Sequence, residues 1–156
     1  MKSKVRITTE TFIWKNEDEN GVTHYKDGKE HREDGPAVEL KDGTKKWFIN
    51  GKLHRVDGPA VEGADGQREW WVNGLRHRED GPAVINAEGC RFWLIDGKFH
   101  RDDGPAFEGT EGEKQWFLNG GNVSEEEFNQ WLMKKTLNDK LHTTLAPKQT
   151  EKKGKI

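Results

Sequence analysis

The chain has little apolar material, a single cysteine and no long hydrophobic run. Only 31% of its 156 residues are hydrophobic, against roughly 45–50% in ordinary globular chains, so no large core is expected. The one cysteine, Cys90, excludes an internal disulfide bond and a cysteine-based zinc site. No apolar stretch approaches the ~20 residues of a membrane span, and residues 1–4 lack the apolar segment of a signal peptide. We therefore expect a protein of the reducing cytoplasm, without a membrane partner.

An excess of one charge is also missing. The chain has 26 basic and 28 acidic residues and a net charge of −2, whereas nucleic-acid-binding domains usually carry a basic surface. In contrast, the chain is rich in glycine, with 18, and in tryptophan, with 7. This composition favours a thin β structure with many turns over a disordered chain, because disordered chains are typically poor in aromatic residues and strongly charged.

A repeat of 23 residues organises the sequence. The motif H-R-x-D-G-P-A begins four times at this spacing, at His31, His54, His77 and His100. A large ring side chain stands seven residues before each motif, and a fifth copy of this half-repeat follows: His24, Trp47, Trp70, Trp93 and Trp116. Copies in one register, without insertions, indicate an array in which each unit buries its apolar face against its neighbours.

Glycine turns predict the secondary structure. Each repeat contains an Asn-Gly or Asp-Gly pair such as Asn50-Gly51, which favours a type I′ hairpin because both residues need φ > 0. A second glycine turn, such as Asp42-Gly43, recurs in each repeat. Three short strands per repeat follow, for example residues 67–72 between residues 59–64 and 75–78. The predicted fold class is mainly β: an elongated antiparallel β-repeat sheet.

The turns also predict which side chains share a face. A two-residue loop at Asn50-Gly51 places Phe48 opposite Leu53 and Trp47 opposite His54, and a two-residue loop at Asp42-Gly43 places Val38 opposite Trp47. Because side chains alternate between faces, one face carries a Val–Trp–His row that scarcely changes between repeats. We interpret this row as the interior. Its structural repeat residues are Trp47, His54, Trp70, His77, Trp93, His100 and Trp116.

The two ends differ from the repeats. Residues 1–23 read as irregular capping strands, residues 24–123 as four and a half β-repeats, residues 124–145 as a helix and residues 146–156 as a basic, disordered tail. Ser124 and Glu127 have the spacing of a capping box, and Val123 with Phe128 that of a hydrophobic staple. We expect the helix to cover the last edge of the sheet, which protects it from edge-to-edge association.

The motif W-x-x-N-G-x-x-H-R-x-D-G-P-A over residues 24–123 resembles the MORN-like repeats of the YwqK-type antitoxin family. It is more similar still to DGPA-repeat accessory proteins of large tailed bacteriophages and giant viruses. The resemblance implies a sheet that binds another macromolecule. It also implies that the protein inhibits a host defence or toxin–antitoxin enzyme in the host cytoplasm. A DNA-targeting ADP-ribosyltransferase toxin is one candidate target. Ordinary MORN units are shorter and lack H-R-x-D-G-P, so lipid binding is not carried over.

Candidate metal and catalytic groups have a simpler interpretation. Equivalent histidines in successive repeats lie two or three strands apart, roughly 10–14 Å at ~4.8 Å per strand, whereas zinc ligands lie within ~2.0–2.2 Å of one ion. The segment from Asn16 to Gly21 partly imitates an EF-hand loop but lacks its helices and final glutamate. Cys90 occupies a variable strand position. We expect no metal, no cofactor and no catalysis, with each histidine packed beside its tryptophan and bonded to a turn.

The face that varies between repeats is the candidate partner-binding surface. Aromatic residues and arginine dominate binding hot spots, and this face has both: Phe48, Leu53, Trp71, Arg76, Leu94, Phe99 and Phe117. The leading hypothesis is a non-catalytic scaffold that blocks a host protein sterically. One alternative is a protein that binds single-stranded nucleic acid or nucleotides, because bases stack on exposed aromatic rings. Others are self-assembly through open sheet edges and coverage of this stripe by the helix or the N-terminal strands.

Overall fold

The computed structural model describes residues 3–6 and 12–145, and it is mainly β. The strands in chain order are β1 (Ser3–Arg6), β2 (Phe12–Asp18), β3 (Gly21–Lys26), β4 (Lys29–Glu30), β5 (Val38–Leu40), β6 (Lys45–Lys46), β7 (Phe48–Ile49), β8 (Lys52–Leu53), β9 (Val61–Glu62), β10 (Arg68–Glu69), β11 (Trp71–Val72), β12 (Leu75–Arg76), β13 (Val84–Ile85), β14 (Arg91–Phe92), β15 (Leu94–Ile95), β16 (Lys98–Phe99), β17 (Phe107–Glu108), β18 (Lys114–Leu118) and β19 (Gly121–Val123). One helix follows, α1 (Glu125–Leu145).

A long antiparallel sheet is the frame of the molecule. It has 13 strands, in the order β1-β2-β3-β5-β6-β9-β10-β13-β14-β17-β18-β19, with β4 attached to β3. Three two-stranded hairpins, β7-β8, β11-β12 and β15-β16, lie beside it. The predicted fold class, a long antiparallel β structure with a C-terminal helix, is confirmed.

The Asn-Gly and Asp-Gly turns have the predicted conformation. Asn50 and Gly51 have φ of 51° and 76°, both in the left-handed region that a type I′ turn requires. The same positive φ recurs at Asp27, Asn73, Asp96 and Asn119. The pairing of Phe48 with Leu53 across this turn is confirmed.

The second turn is longer than predicted. In this turn the backbone N–H of Leu40 donates to the carbonyl of Thr44 at 2.9 Å, which leaves three residues in the loop rather than two. Gly43 has φ of 96° whereas Asp42 has no positive φ, as in three-residue hairpins that end in a left-handed glycine. Val38 therefore pairs with Lys46, and the prediction that it lies opposite Trp47 is wrong.

The middle strands that contain Trp47, Trp70 and Trp93 are each interrupted at the tryptophan. In the second repeat the predicted strand over residues 67–72 divides into β10 and β11 around Trp70. The backbone N–H of Trp70 donates to the carbonyl of Ala83 at 2.8 Å, and its carbonyl accepts from His77 at 3.0 Å. The tryptophan backbone thus joins the long sheet to the hairpin beside it.

Successive hairpins are also hydrogen-bonded to each other. The backbone N–H of Gly74 donates to Leu53 at 2.9 Å and that of Arg55 donates to Trp71 at 3.1 Å. The same two bonds recur one repeat later, from Gly97 to Arg76 and from Arg78 to Leu94. The repeats are therefore joined twice, through the sheet and through the row of hairpins.

The core is small, as the composition predicts. Four equivalent alanines are completely buried: Ala37, Ala60, Ala83 and Ala106. One cluster of buried residues joins Ala83, Val84 and Leu94, with Phe92 and Phe99 packed against it. The two rows predicted from the sequence place Val84 and Leu94 on opposite faces, and this prediction is wrong. The three-residue loop between Asn86 and Cys90 shifts the register by one residue, which moves a side chain to the other face.

The helix begins as predicted and docks on the end of the sheet. The hydroxyl of Ser124 accepts from the backbone N–H of Glu127 at 3.1 Å, and the Glu127 carboxylate accepts from the backbone N–H of Ser124 at 2.8 Å. Phe128 is buried, and its ring lies tilted against that of Trp131 with centres 5.8 Å apart. The helix contacts β18. The predicted tail, residues 146–156, and residues 1–2 and 7–11 of the N-terminal cap lie outside the described residues.

Candidate functional site

The two faces of the array carry different side chains. Directly paired residues share a face, so Val61 lies with Lys46 and Glu69, while the adjacent Trp47 and Trp70 lie on the opposite side. We name the first the cleft face, after the cleft described below, and the second the tryptophan face. Valine thus belongs to the cleft face, whereas the predicted interior row placed it with tryptophan and histidine.

Stacked arginines line the tryptophan face. The guanidinium carbon of Arg55 lies 3.9 Å from the centre of the Trp47 ring. Its Nε donates to Asp57 at 3.0 Å, and its Nη1 donates to the Pro59 carbonyl at 3.1 Å and to Glu62 at 2.8 Å. The hydrogen bond from Arg55 holds the pKa of Asp57 below its ordinary value. Arg78 on Trp70 and Arg101 on Trp93 repeat the stack at 4.1 and 4.0 Å.

The repeated histidines hold the turns of the next repeat. The Nδ1 atom of each ring accepts a hydrogen bond from the first residue of an Asn-Gly or Asp-Gly turn. The pairs are His31 with Asn50, His54 with Asn73, His77 with Asp96 and His100 with Asn119, at 3.0–3.2 Å. The arginines and histidines of the tryptophan face therefore already have partners within the protein.

An open cleft lies on the other face, between the first and second repeats. It has a volume of about 540 Å³ and brings together four of the predicted partner-binding residues, Phe48, Leu53, Trp71 and Arg76. Its other lining residues are Leu40, Asp42, Thr44, Lys46, Val61, Gly63, Ala64, Asp65, Gln67 and Glu69. We take this cleft as the candidate binding site.

The other predicted partner-binding residues are not in the cleft. Leu94 is only 5% exposed and belongs to the core. Phe99 and Phe117 are half-buried and stack on each other, with ring centres 4.9 Å apart. Phe92 continues the cluster, 6.2 Å from Phe99. In this part of the face the chain packs its own aromatic side chains together.

Glu69 organises the cleft, although it was not among the predicted site residues. This residue is 6% exposed, and its carboxylate accepts from Trp71 Nε1 at 2.7 Å, from Arg76 Nε at 3.0 Å and from the side-chain amide of Gln67. The Arg76 guanidinium carbon lies 4.8 Å from the centre of the Trp71 ring. A signal was available, because sister repeats place chemically unrelated residues here: Lys46, Phe92 and Gln115.

The segment that imitates an EF-hand loop and the one cysteine both take part in hydrogen bonds that hold turns. Asp18 Oδ1 accepts from the backbone N–H groups of Asn20 and Gly21 at 2.8 and 3.2 Å, in the turn of a plain hairpin. The backbone N–H of Cys90 donates to Asn86 Oδ1 at 2.8 Å. Among residues 3–6 and 12–145, no group of three metal-ligating side chains is found.

Comparisons with known proteins leave the function to be argued from the cleft. No helix in the described ranges is both long and apolar enough to cross a membrane. No protein-family model, no curated protein and no solved structure matches the chain. The resemblance to MORN-like repeat proteins therefore stays a prediction.

Proposed function

We propose that this protein is a non-catalytic binding scaffold whose cleft face holds a segment of a partner protein. One observation carries the proposal: Phe48, Leu53 and Trp71 line an open cleft together with Arg76, whose Nη groups donate no hydrogen bond in the described residues. The opposite face also has open clefts, such as the one lined by Trp93 and Ile95, but its arginines and histidines are committed to internal hydrogen bonds. A partner therefore finds available contact groups in the cleft.

Support also comes from how firmly the cleft side chains are held. Trp71 is fixed through its indole N–H by Glu69, and Phe48 lies in a hairpin bonded to both neighbouring repeats. Side chains already ordered before binding lose less entropy when a partner arrives. Tryptophan and arginine are also the residue types that contribute most at protein interfaces.

The charges of the cleft favour a protein over a nucleic acid. Its lining has three carboxylates, Asp42, Asp65 and Glu69, and two cationic groups, Lys46 and Arg76. A phosphate backbone binds through several cations and leaves a strong salt dependence. A lining with more acids than bases repels such a polyanion, whereas a single polypeptide segment meets no such barrier.

The resemblance to bacteriophage accessory proteins extends the proposal to the target. We infer that the partner is a host defence or toxin enzyme, with a DNA-targeting ADP-ribosyltransferase toxin as one candidate, and that binding blocks its active site. Steric inhibition of this kind needs an interface of roughly 800 Å² per partner and no reactive group.

Affinity capture with matched variants tests the proposal. The wild-type chain, the cleft variant Phe48→Ala/Leu53→Ala and the control Ile49→Ala/Val56→Ala are used as baits in lysate of the native host cell. Ile49 and Val56 line the tryptophan face, so the control removes apolar side chains from the other side. We expect one stoichiometric protein with the wild type and the control and its loss with the cleft variant.

Two results contradict the proposed function. One is the absence of any stoichiometric partner, and the other is capture of the same partner by the cleft variant, provided that thermal melting shows all three baits folded. Salt-dependent binding of a single-stranded oligonucleotide, lost in the cleft variant, supports the nucleic-acid alternative instead.

A further inference from the structure

Arg76 differs from the stacked arginines of the tryptophan face. In residues 3–6 and 12–145, the hydrogen bond that its side chain donates runs from Nε to Glu69, and neither Nη atom donates one. Arg55, by contrast, donates from both Nε and Nη1. The Arg76 side chain is 44% exposed and that of Arg55 only 22%. Arg76 thus keeps terminal N–H groups that the protein does not use.

The unused end of Arg76 is nevertheless held in place. Glu69 binds one side of the guanidinium, and the ring of Trp71 lies 4.8 Å from its central carbon. Glu69 is itself buried and fixed by Trp71 and Gln67. Because a guanidinium is planar with its donors in a fixed fork, holding Nε also fixes the direction of the remaining donors.

A second cation lines the same cleft. Lys46 is paired in the sheet with Val61, on the face that carries Phe48 and Trp71. Hydrogen bonds from Thr44 lower the pKa of Asp42, and the charge of Lys46 lowers it further. The cleft therefore combines apolar side chains with two cationic groups.

We propose that this cleft recognises an acidic–apolar motif: an aspartate or glutamate next to a large apolar side chain in the partner segment. This inference rests on the proposed function and names the chemistry of its partner. The partner carboxylate accepts hydrogen bonds from the free Nη groups of Arg76, and Lys46 adds a second positive charge. The neighbouring apolar side chain packs against Phe48, Leu53 and Trp71. Glu69 acts as a positioning residue that holds Arg76.

The three carboxylates of the lining restrict the ligand to a single acidic group. Asp42 and Asp65 accept backbone hydrogen bonds from Thr44 and Gln67 at 2.8 and 2.9 Å, which hold them at the turns beside the cleft. An isolated carboxylate at Arg76 is attracted, whereas a run of acids extends toward these turns and is repelled.

Selection from a library of short random peptides tests the motif. The folded, full-length wild type, Arg76→Gln and the control Arg91→Gln are used in parallel. Arg91 is an exposed arginine of the sheet, 58% exposed and outside the cleft lining, so its substitution removes the same charge elsewhere. We expect the wild type and the control to enrich peptides with an acid beside a large apolar residue. Arg76→Gln keeps the apolar preference and loses the acid.

An enriched peptide and its amide counterpart, with Asp→Asn or Glu→Gln, then measure the contribution of the carboxylate. A hydrogen bond to a charged group contributes enough for about a tenfold loss of affinity when the acid is replaced. We expect this loss on the wild type and on Arg91→Gln, and almost none on Arg76→Gln. Arg76→Lys keeps the charge without the fork and is expected to show an intermediate loss, which keeps the test valid if Arg76→Gln melts early.

Glu69→Gln separates positioning from simple packing. We expect it to reduce the difference between the acid and amide peptides, whereas a purely structural role lowers the melting temperature and leaves that difference unchanged.

The inference is overturned if the enriched peptides show no acid preference, if Arg76→Gln keeps that preference, or if no peptide is enriched. None of these results contradicts the proposed function, because capture of the partner by the wild type and its loss with Phe48→Ala/Leu53→Ala are measured independently. Failure of that capture is the separate sign that the proposed function itself is wrong.

Discussion

The ring of His54 holds a turn that belongs to the following repeat: its Nδ1 atom accepts a hydrogen bond of 3.1 Å from the backbone N–H of Asn73. Asn73 has φ of 50°, the left-handed conformation of the first residue in a type I′ turn. The main-chain bonds from Gly74 to Leu53 and from Arg55 to Trp71 flank this contact. The histidine therefore replaces one backbone bond in the row of hairpins.

Replacing this histidine should weaken the coupling between repeats. We expect His54→Ala to reduce the free energy of unfolding by about 1 kcal/mol, the typical contribution of one hydrogen bond, together with a smaller loss of packing. Urea denaturation followed by tryptophan fluorescence measures it. Val56→Ala is the control, because this neighbouring side chain is 88% exposed, and equal destabilisation by both variants would contradict the assigned role.

His24 stands where the later repeats have tryptophan, and its environment suits it poorly. Its Nδ1 atom is buried and has no hydrogen-bond partner among the described residues. Burial, and then the nearby charge of Arg32, lower the pKa of His24 below its ordinary value of 6.5. The unfolded chain therefore takes up a proton before the folded one does, so this group removes stability as pH falls below about 6.5.

Completing the repeat at this position should stabilise the protein. We expect His24→Trp to raise the melting temperature, because Arg32 can stack on the new ring as Arg55 does on Trp47 at 3.9 Å. The gain should be larger at pH 5.5 than at pH 7.5, since the variant no longer has the histidine that titrates. Melting curves of both proteins at the two pH values test this, and a gain that does not grow toward acid pH contradicts the assignment to His24.

The repeat and its first turn could be predicted because each depends on local sequence. Positive φ at Asn50 and Gly51 follows from the residue types, and the capping box at Ser124 follows from spacing. The stacking of arginine on tryptophan was also predictable, since both residues recur in three successive repeats. Regularities that are repeated in the chain are visible without coordinates.

The loop length of the second turn could not be read in the same way. An Asp-Gly pair fits either a two-residue loop or a three-residue loop that ends in glycine, and the structure has the latter at Gly43. The one additional loop residue shifts the strand register by one position, so Val38 and Val61 lie on the cleft face instead of beside tryptophan. Glu69 escaped notice for another reason: its importance comes from Trp71 and Arg76 together, not from any repeated pattern.

Trp70 should contribute to the stability of the array through its stack with Arg78. We expect Trp70→Ala to lower the free energy of unfolding by about 3 kcal/mol, near the lower limit for a tryptophan in a core because its ring is only half-buried. It removes the ring under Arg78. Urea denaturation measures this loss, and Trp70→Phe, which keeps a ring, is expected to recover most of it.

Trp71→Phe isolates one hydrogen bond in the cleft. It keeps an aromatic ring beside Arg76 but leaves the buried Glu69 without its indole donor. We expect a loss of about 1–3 kcal/mol, the cost of an unsatisfied buried group, and weaker capture of the partner. If Trp71→Phe melts like the wild type, Glu69 does not depend on Trp71, and the proposed organisation of the cleft is wrong.

Asp102 fastens the helix to the last full repeat. Its carboxylate accepts from His100 Nε2 at 2.7 Å and from Lys135 of the helix. The ring of Trp131 meets His100 edge-on, with centres 6.5 Å apart. Burial raises the pKa of Asp102, but the hydrogen bonds and charges of Lys135 and His100 outweigh it, so the pKa lies below its ordinary value of 3.8.

The contact should therefore be lost in acid and on removal of the charge. A carboxyl with a lowered pKa stabilises the folded state above its ordinary pKa, and this stability disappears as pH falls through the folded value. We expect Asp102→Asn to weaken helix docking by about 1 kcal/mol or less, because the pair is half-exposed. Faster hydrogen exchange in α1 near neutral pH and a smaller loss of docking on acidification should follow. Glu79→Gln, at the equivalent position of the preceding repeat and 86% exposed, is the control, and equal exchange in both variants contradicts the role of Asp102.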